Sequence, residues 1–100
     1  MFFVGIDIAK KTHQAAITSD DGKLIGKTFK FSNTIDGFNL LLEKLSAVTT
    51  DLSQFEIGME ATGHYWLNLY TWLSDRKFKL HVNFAFGFFY FRRSMLKSHF

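Results

Sequence analysis

The stretch Phe2-Phe3-Val4-Gly5-Ile6-Asp7-Ile8 is apolar except at one position. A short run of this kind is typical of a strand that is buried on both faces at the centre of a sheet. Asp7 is the exception, because an ionised carboxylate in an apolar strand is costly unless a cation or a hydrogen-bond donor pairs with it. These residues alone leave two interpretations open: a functional acid, or an acid at a strand end that bonds to turn amides.

Downstream of this strand, residues 13–18 and 24–31 predict two further strands. The turn Ser19-Asp20-Asp21-Gly22 joins them, because Asp-Gly suits the positive φ angles of a tight hairpin. The apolar spacing then becomes helical over residues 35–48, which predicts a first helix. Asn33 or Thr34 can cap its start, and Asp36 lies in the first turn, where the helix dipole favours an anion.

The second half of the chain predicts a strand, a helix and another strand. Residues 54–60 alternate apolar and polar positions, Thr62 is expected to cap a helix over residues 64–74, and residues 78–82 form the fifth strand. The element order is therefore β-β-β-α-β-α-β. Its strand-helix-strand units make the fourth and fifth strands parallel, and right-handed crossovers limit the possible arrangements. With the first strand central, this predicts an α/β fold with strand order 3-2-1-4-5, the layout of a ribonuclease-H-like domain.

The composition indicates one domain without disulfides. The 100 residues include no Cys, which excludes thiolate metal sites and fits a reducing cytoplasm. The chain start lacks the basic region of a signal peptide, and no uncharged apolar run approaches the roughly 18 residues of a membrane helix. We therefore expect a cytoplasmic protein with no membrane partner.

Charge is distributed unevenly along the chain. Residues 1–75 hold all nine acids and six Lys or Arg, whereas residues 76–100 hold six Lys or Arg and no acid. A basic end of this kind is either an electrostatic footprint for nucleic acid or a solvated tail. We expect a domain over residues 1–83 and a separate aromatic and basic tail over residues 84–100.

The first and fourth strands share a pattern in which a carboxylate follows a glycine by two residues. Gly5 precedes Asp7, and Gly58 precedes Glu60. If these strands are parallel neighbours, the two carboxylates stand about 5 Å apart and repel unless a cation lies between them. All-oxygen ligands favour Mg²⁺ or Mn²⁺, which support phosphodiester chemistry. The alternative is that both acids bond only to turn and helix amides.

Two motifs resemble those of a known family. They are Val4-Gly5-Ile6-Asp7-Ile8-Ala9-Lys10 followed by Thr12-His13, and Gly58-Met59-Glu60-Ala61-Thr62-Gly63-His64-Tyr65-Trp66. Together they resemble the RuvC-like N-terminal domain of the DEDD transposases of bacterial insertion sequences, over about residues 3–83. The resemblance implies a divalent metal, cleavage and strand transfer of DNA, and a guide RNA. It maps Asp7 and Glu60 onto the first two catalytic, metal-binding acids.

The sequence departs from the family pattern after Asn83. No acid follows Asp75, so the last two acids of the family are missing, and the tail indicates a truncation or a shifted reading frame. We expect an N-terminal fragment that is inactive alone, with a homo-oligomer as one source of the missing acids. Enzymatic activity of this chain is therefore left open.

Other residues are candidates for contact with nucleic acid. Lys10 and Lys11 follow the first strand, His64 lies near Glu60, and Arg92 and Arg93 lie in the tail. For each of them a solvated surface position is the alternative. Two other functions stay open: a non-catalytic nucleic-acid-binding or interaction remnant, and an actin-like phosphotransferase fragment. The second requires a glycine-rich loop after Asp7, which this sequence lacks.

Overall fold

The computed structural model describes residues 1–61 and 63–83 as a five-stranded sheet with two α-helices. The elements are β1 (Phe2–Asp7), β2 (Thr12–Ser19), β3 (Phe29–Ser32), α1 (Ile35–Val48), β4 (Phe55–Glu60), α2 (Leu67–Asp75) and β5 (Lys79–Asn83). The strand order is β3-β2-β1-β4-β5, in which β1 is antiparallel to β2 and parallel to β4. Both the predicted element order and the predicted strand order are confirmed.

Both helices pack on one face of the sheet, because two right-handed crossovers in the same direction place them there. Ile6 of β1 and Ile57 of β4 belong to one buried cluster with Leu41 of α1 and Leu69 of α2. We call this the helix face. Alternate strand residues, among them Asp7, point to the opposite side of the sheet, which we call the site face.

The start of α1 is fixed by a cap and by a close approach to β3. The backbone N–H of Gly37 donates to the Thr34 hydroxyl at 3.1 Å, so Thr34 is the cap. A Cβ at Gly37 would lie 1.9 Å from the Ser32 carbonyl oxygen. Only glycine therefore allows the first turn of α1 to lie directly against the end of β3.

The third strand is shorter than residues 24–31, so that prediction is wrong in its first half. After the predicted turn, Leu24 forms a single bridge with Thr18, and the Ile25 N–H donates to the Ile17 carbonyl. Gly26 then adopts a φ of +68°, which takes the chain out of the extended conformation. Regular pairing with β2 resumes only at Phe29.

The second helix begins at Leu67, three residues later than predicted. Gly63 has a φ of +74°, and the Trp66 indole N–H donates to the Gly63 carbonyl at 3.1 Å. This turn occupies residues 63–66, so the helix starts after it without a side-chain cap. The predicted cap, Thr62, and the predicted tail, residues 84–100, lie outside the described residues. Neither helix in the described ranges has the length and apolar character that a membrane crossing needs.

Candidate active site

The two predicted acids are register partners on neighbouring parallel strands. Asp7 at the end of β1 pairs with Glu60 at the end of β4, and Gly5 pairs with Gly58 two residues earlier. Parallel partners point to the same side of a sheet, so both carboxylates lie on the site face. The predicted pairing of these two strand positions is confirmed, whereas the sharing of a cation by the two carboxylates and their catalytic role stay predictions.

The two acids differ in burial. Glu60 is 1% exposed, although it lies on the face opposite the helices. Asp7 is half-buried. A carboxylate is tolerated at such low exposure only when charge or hydrogen bonds compensate its lost hydration. Glu60 is therefore shielded from water far more than Asp7.

A buried histidine holds the loop that follows Asp7. The backbone N–H of Ala9 donates to His13 Nδ1 at 3.1 Å, and the His13 ring is fully buried beside Phe31. Burial lowers the pKa of His13, while a polar contact with Asn33 and the charge of Asp7 act in the opposite direction. The ring is thus kept neutral, so Nδ1 can accept and Nε2 carries the hydrogen.

The register of the sheet extends the acid pair into a polar row. Gln14 pairs with Asp7, and Lys30 pairs with Gln14. On the other side of the pair, Asn83 of β5 is the partner of Glu60. One polar residue from each strand therefore lies at the same level of the sheet, a set we call the cross-sheet row. Sequence reasoning identified only its two acids.

The other predicted contact residues lie after the strands that carry the acids. Lys10 and Lys11 are exposed in the loop after β1, and His64 is exposed in the turn before α2. Carboxyl ends of parallel strands are where ligands of α/β sheets bind, so these positions fit the predicted role. The other two, Arg92 and Arg93, lie outside the described residues.

Glu56 is engaged elsewhere on β4. Its Oε1 lies 2.5 Å from Nε2 of His81 on β5. His81 precedes Asn83, the strand partner of Glu60, by two residues. Residues 1–61 and 63–83 contain no cluster of three or more His, Asp or Glu placed to hold a metal ion. The acids that the sequence predicts as metal ligands in this part of the chain are a pair, Asp7 and Glu60, whose donors are oxygens only.

The sequence matches a known protein family. The family of DEDD transposases of the IS110 type matches residues 4–97 of this chain. A comparison with curated proteins found no match. Among solved structures, the chain is similar to the Holliday junction resolvase of fowlpox virus, at 17% identity and a TM-score of 0.53 over 84% of this chain. It is also similar to Pelota of Archaeoglobus fulgidus, at 16% identity and a TM-score of 0.51 over 82% of this chain.

These structural likenesses concern the fold. The chain spans 61% of the resolvase and 26% of Pelota, so both contain much that this chain does not match. The family match covers the strands that carry Asp7 and Glu60 and continues into residues 84–97. It therefore takes in both motifs on which the acid pair depends.

Proposed function

Because the chain belongs to the DEDD transposase family, we propose that Asp7 and Glu60 take part in metal-dependent cleavage and joining of DNA strands. The observation that carries the proposal is the pairing of these two acids across adjacent parallel strands on the site face. Two ionised carboxylates on directly paired strand positions repel each other, and a divalent cation relieves the repulsion. The donors are oxygens only, which favours Mg²⁺ or Mn²⁺ over Zn²⁺.

The chain's own residues supply position and charge to this chemistry. Asp7 and Glu60 would each give a carboxylate oxygen to one shared ion. When bound, such an ion activates a water or hydroxyl nucleophile and stabilises charge on the phosphate oxygens. His13 keeps the loop after Asp7 in place through the Ala9 N–H, which fixes the end of β1. The acid pair is therefore preorganised by the sheet ladder on one side and by this loop on the other.

We propose further that these 100 residues alone do not turn over DNA. A two-metal mechanism requires carboxylates that fix both ions, and residues 76–100 contain no acid. The missing acids would come from elsewhere, for example a second subunit. A guide RNA belongs to the same proposal and rests on the family alone. The missing acids support a homo-oligomer, and the absence of Cys supports a place in the cytoplasm. A domain boundary near residue 83 rests on the sequence, and the family match extends past it to residue 97.

Metal binding is the direct test. Titration calorimetry of the whole chain with Mn²⁺ is expected to show weak binding that disappears in Asp7→Asn, because one of two carboxylate ligands is lost. The matched control is Asp20→Asn, which changes an exposed acid in the hairpin turn and should leave Mn²⁺ binding unchanged. Unchanged binding in Asp7→Asn would contradict the site.

A nicking and strand-transfer assay tests the activity itself. Supercoiled DNA, Mn²⁺ and candidate guide RNA are combined with the purified chain and, in parallel, with Glu60→Gln. We expect no turnover in either reaction. Robust turnover that is lost in Glu60→Gln would show that the acid pair is catalytic and that the missing acids are supplied within an oligomer.

A second candidate function is nucleic-acid binding without catalysis. The exposed cations Lys10 and Lys11 at the carboxyl ends of the strands favour it, together with the basic composition of residues 76–100. Binding of this kind is independent of sequence and weakens steeply with salt. Salt-sensitive DNA binding by a chain that binds no Mn²⁺ would support this second function over the first.

A further inference from the structure

A cavity on the site face extends from Asp7, one member of the acid pair, to Lys30 at the edge of the sheet. It has a volume of about 240 Å³ and is lined by Asp7, Ala9, Thr12, His13, Gln14 and Lys30. This volume is several times the roughly 30 Å³ that one water occupies. The cavity can therefore hold a phosphate group with bound water between one acid and the lysine.

The position of Lys30 in the cross-sheet row explains why this lysine lines the cavity. Lys30 pairs with Gln14, and Gln14 pairs with Asp7, so Lys30 lies two strands from Asp7 at the same level. With strands about 4.8 Å apart, the Cα atoms of Lys30 and Asp7 are about 10 Å apart. The flexible four-carbon stem of lysine covers part of this distance with its ammonium group at the end.

Among the described residues, no acid forms an ion pair with Lys30. In residues 1–61 and 63–83 the ion pairs join Met1 to Asp20, Lys23 to Asp21 and His81 to Glu56. Lys30 is exposed, and its backbone is fixed by the ladder between β3 and β2. Its Cα is therefore held two strands from Asp7, and its ammonium group is available to an anion in the cavity that both residues line.

Gln14 lies between the lysine and the acid and is suited to a polar ligand. Its side chain is exposed, and its Nε2 lies 3.4 Å from the hydroxyl of Thr28, just before β3. This places a neutral amide rather than a second acid between Lys30 and Asp7. An anionic ligand at the cavity thus meets a cation and an amide donor on the side away from Glu60.

We propose that Lys30, assisted by Gln14, forms a phosphate-binding subsite that holds a nucleic-acid strand next to the Asp7–Glu60 pair. The phosphate bound there neighbours the one that would lie at the carboxylates. This inference rests on the proposed function for the identity of the ligand, since the acid pair is taken to act on a phosphodiester. It adds a positioning residue on β3 that neither motif contains.

The test is the salt dependence of nucleic-acid binding by the whole chain. Fluorescence anisotropy with a short labelled DNA duplex, and in parallel with RNA of the same sequence, is measured over a KCl series. Each phosphate that a lysine neutralises contributes roughly 0.9 to the slope of log K against log salt. Lys30→Ala is therefore expected to weaken binding and reduce this slope by about 0.9, whereas Lys30→Arg should restore most of it.

Lys27→Ala is the matched control, because Lys27 is also exposed and lies in the loop before β3 but lines a different cavity. A slope change as large in Lys27→Ala as in Lys30→Ala would overturn the subsite, and so would no change in Lys30→Ala. A loss seen with RNA but not with DNA would overturn a subsite for the DNA substrate.

A double-mutant cycle locates the phosphate relative to the acid pair. Lys30→Ala and Asp7→Asn are expected to depart from additivity in DNA affinity by more than about twofold, because both groups face the same cavity. The cycle of Lys27→Ala with Asp7→Asn should be additive, and additivity in both cycles would contradict the proposal. Mn²⁺ binding distinguishes failure of the proposed metal site from failure of the phosphate subsite. If Asp7→Asn still binds Mn²⁺ while Lys30→Ala reduces the salt slope of DNA binding, the metal site is contradicted and the subsite is supported.

Discussion

The two faces of the sheet differ in the side chains that they present, although the same strands form both. On the helix face, Ile6 and Ile57 are fully buried against α1 and α2. On the site face, the next residue of β1 is Asp7, which pairs with Glu60 at the level of the cross-sheet row. Burial of apolar side chains on the helix face stabilises the fold. On the site face, the strand register aligns polar side chains at one level of the sheet.

This difference has a consequence for how substitutions act. A change on the helix face alters packing, which is dense and sensitive to single methylene groups. A change in the cross-sheet row on the site face alters polar or charged groups, such as those of Asp7, Gln14 or Lys30, and leaves the apolar core in place. We therefore expect stability to respond mainly to the helix face, and binding to respond mainly to the site face.

The largest expected effect on stability is that of Ile6→Ala. Removing this fully buried side chain leaves a cavity between β1 and the helices, so the free energy of unfolding should fall by about 2–5 kcal/mol. Its neighbour variant, Asp7→Asn, keeps the side-chain volume and should cost less than about 1 kcal/mol. Urea denaturation of both variants measures the contrast. Equal losses would contradict the division between the two faces.

The alternation of the sequence was sufficient to predict the helix face and the strand order. Residues 2–6 form a continuous apolar run in β1, whereas apolar residues recur at every second position in β4 and at helical spacing in α1. Right-handed crossovers then leave few other arrangements. The Asp7–Glu60 pair was also predictable, because matched glycines precede both acids in parallel strands.

The rest of the cross-sheet row could not be predicted from the sequence. Alternation places Gln14 and Lys30 on the site face, since Ala15 and Phe31 face the core. Their level relative to Asp7 depends on the antiparallel register of β1 with β2 and of β2 with β3. That register depends on the length of the loop after β1 and on the irregular segment around Gly26 that precedes β3. No local sequence pattern specifies either length.

The next expected effect concerns the contact that joins α1 to the sheet. Gly37→Ala places a methyl group 1.9 Å from the Ser32 carbonyl oxygen, so either the helix start or the end of β3 must move. We expect a loss of about 1–3 kcal/mol, as for other overpacked sites. Asn39→Ala, at an exposed position of the same helix, is the control and should change stability by no more than about 0.5 kcal/mol. Thermal unfolding that shows the two variants alike would mean that this contact does not limit the packing of α1.

The smallest expected effect on stability is the pH dependence that comes from His13. His13 is fully buried on the helix face beside Phe31, yet it bonds to the loop that follows Asp7. Its pKa is lowered mainly by burial, from an ordinary value of 6.5 that the unfolded chain keeps. Protonation would also cost the Ala9 hydrogen bond, because Nδ1 could then no longer accept.

The sign of the pH dependence follows from this shift. Above pH 6.5 His13 is mostly neutral in both states and its contribution to stability is complete. As the pH falls below that value, the unfolded chain binds the proton first, so the free energy of unfolding decreases towards the lowered pKa of the folded chain. Urea denaturation in EDTA across this window should show the decrease in the native chain and a shallower one in His13→Gln, whatever the absolute stability of that variant. An unchanged slope in His13→Gln would show that groups on the site face, rather than this buried ring, set the acid sensitivity of the fold.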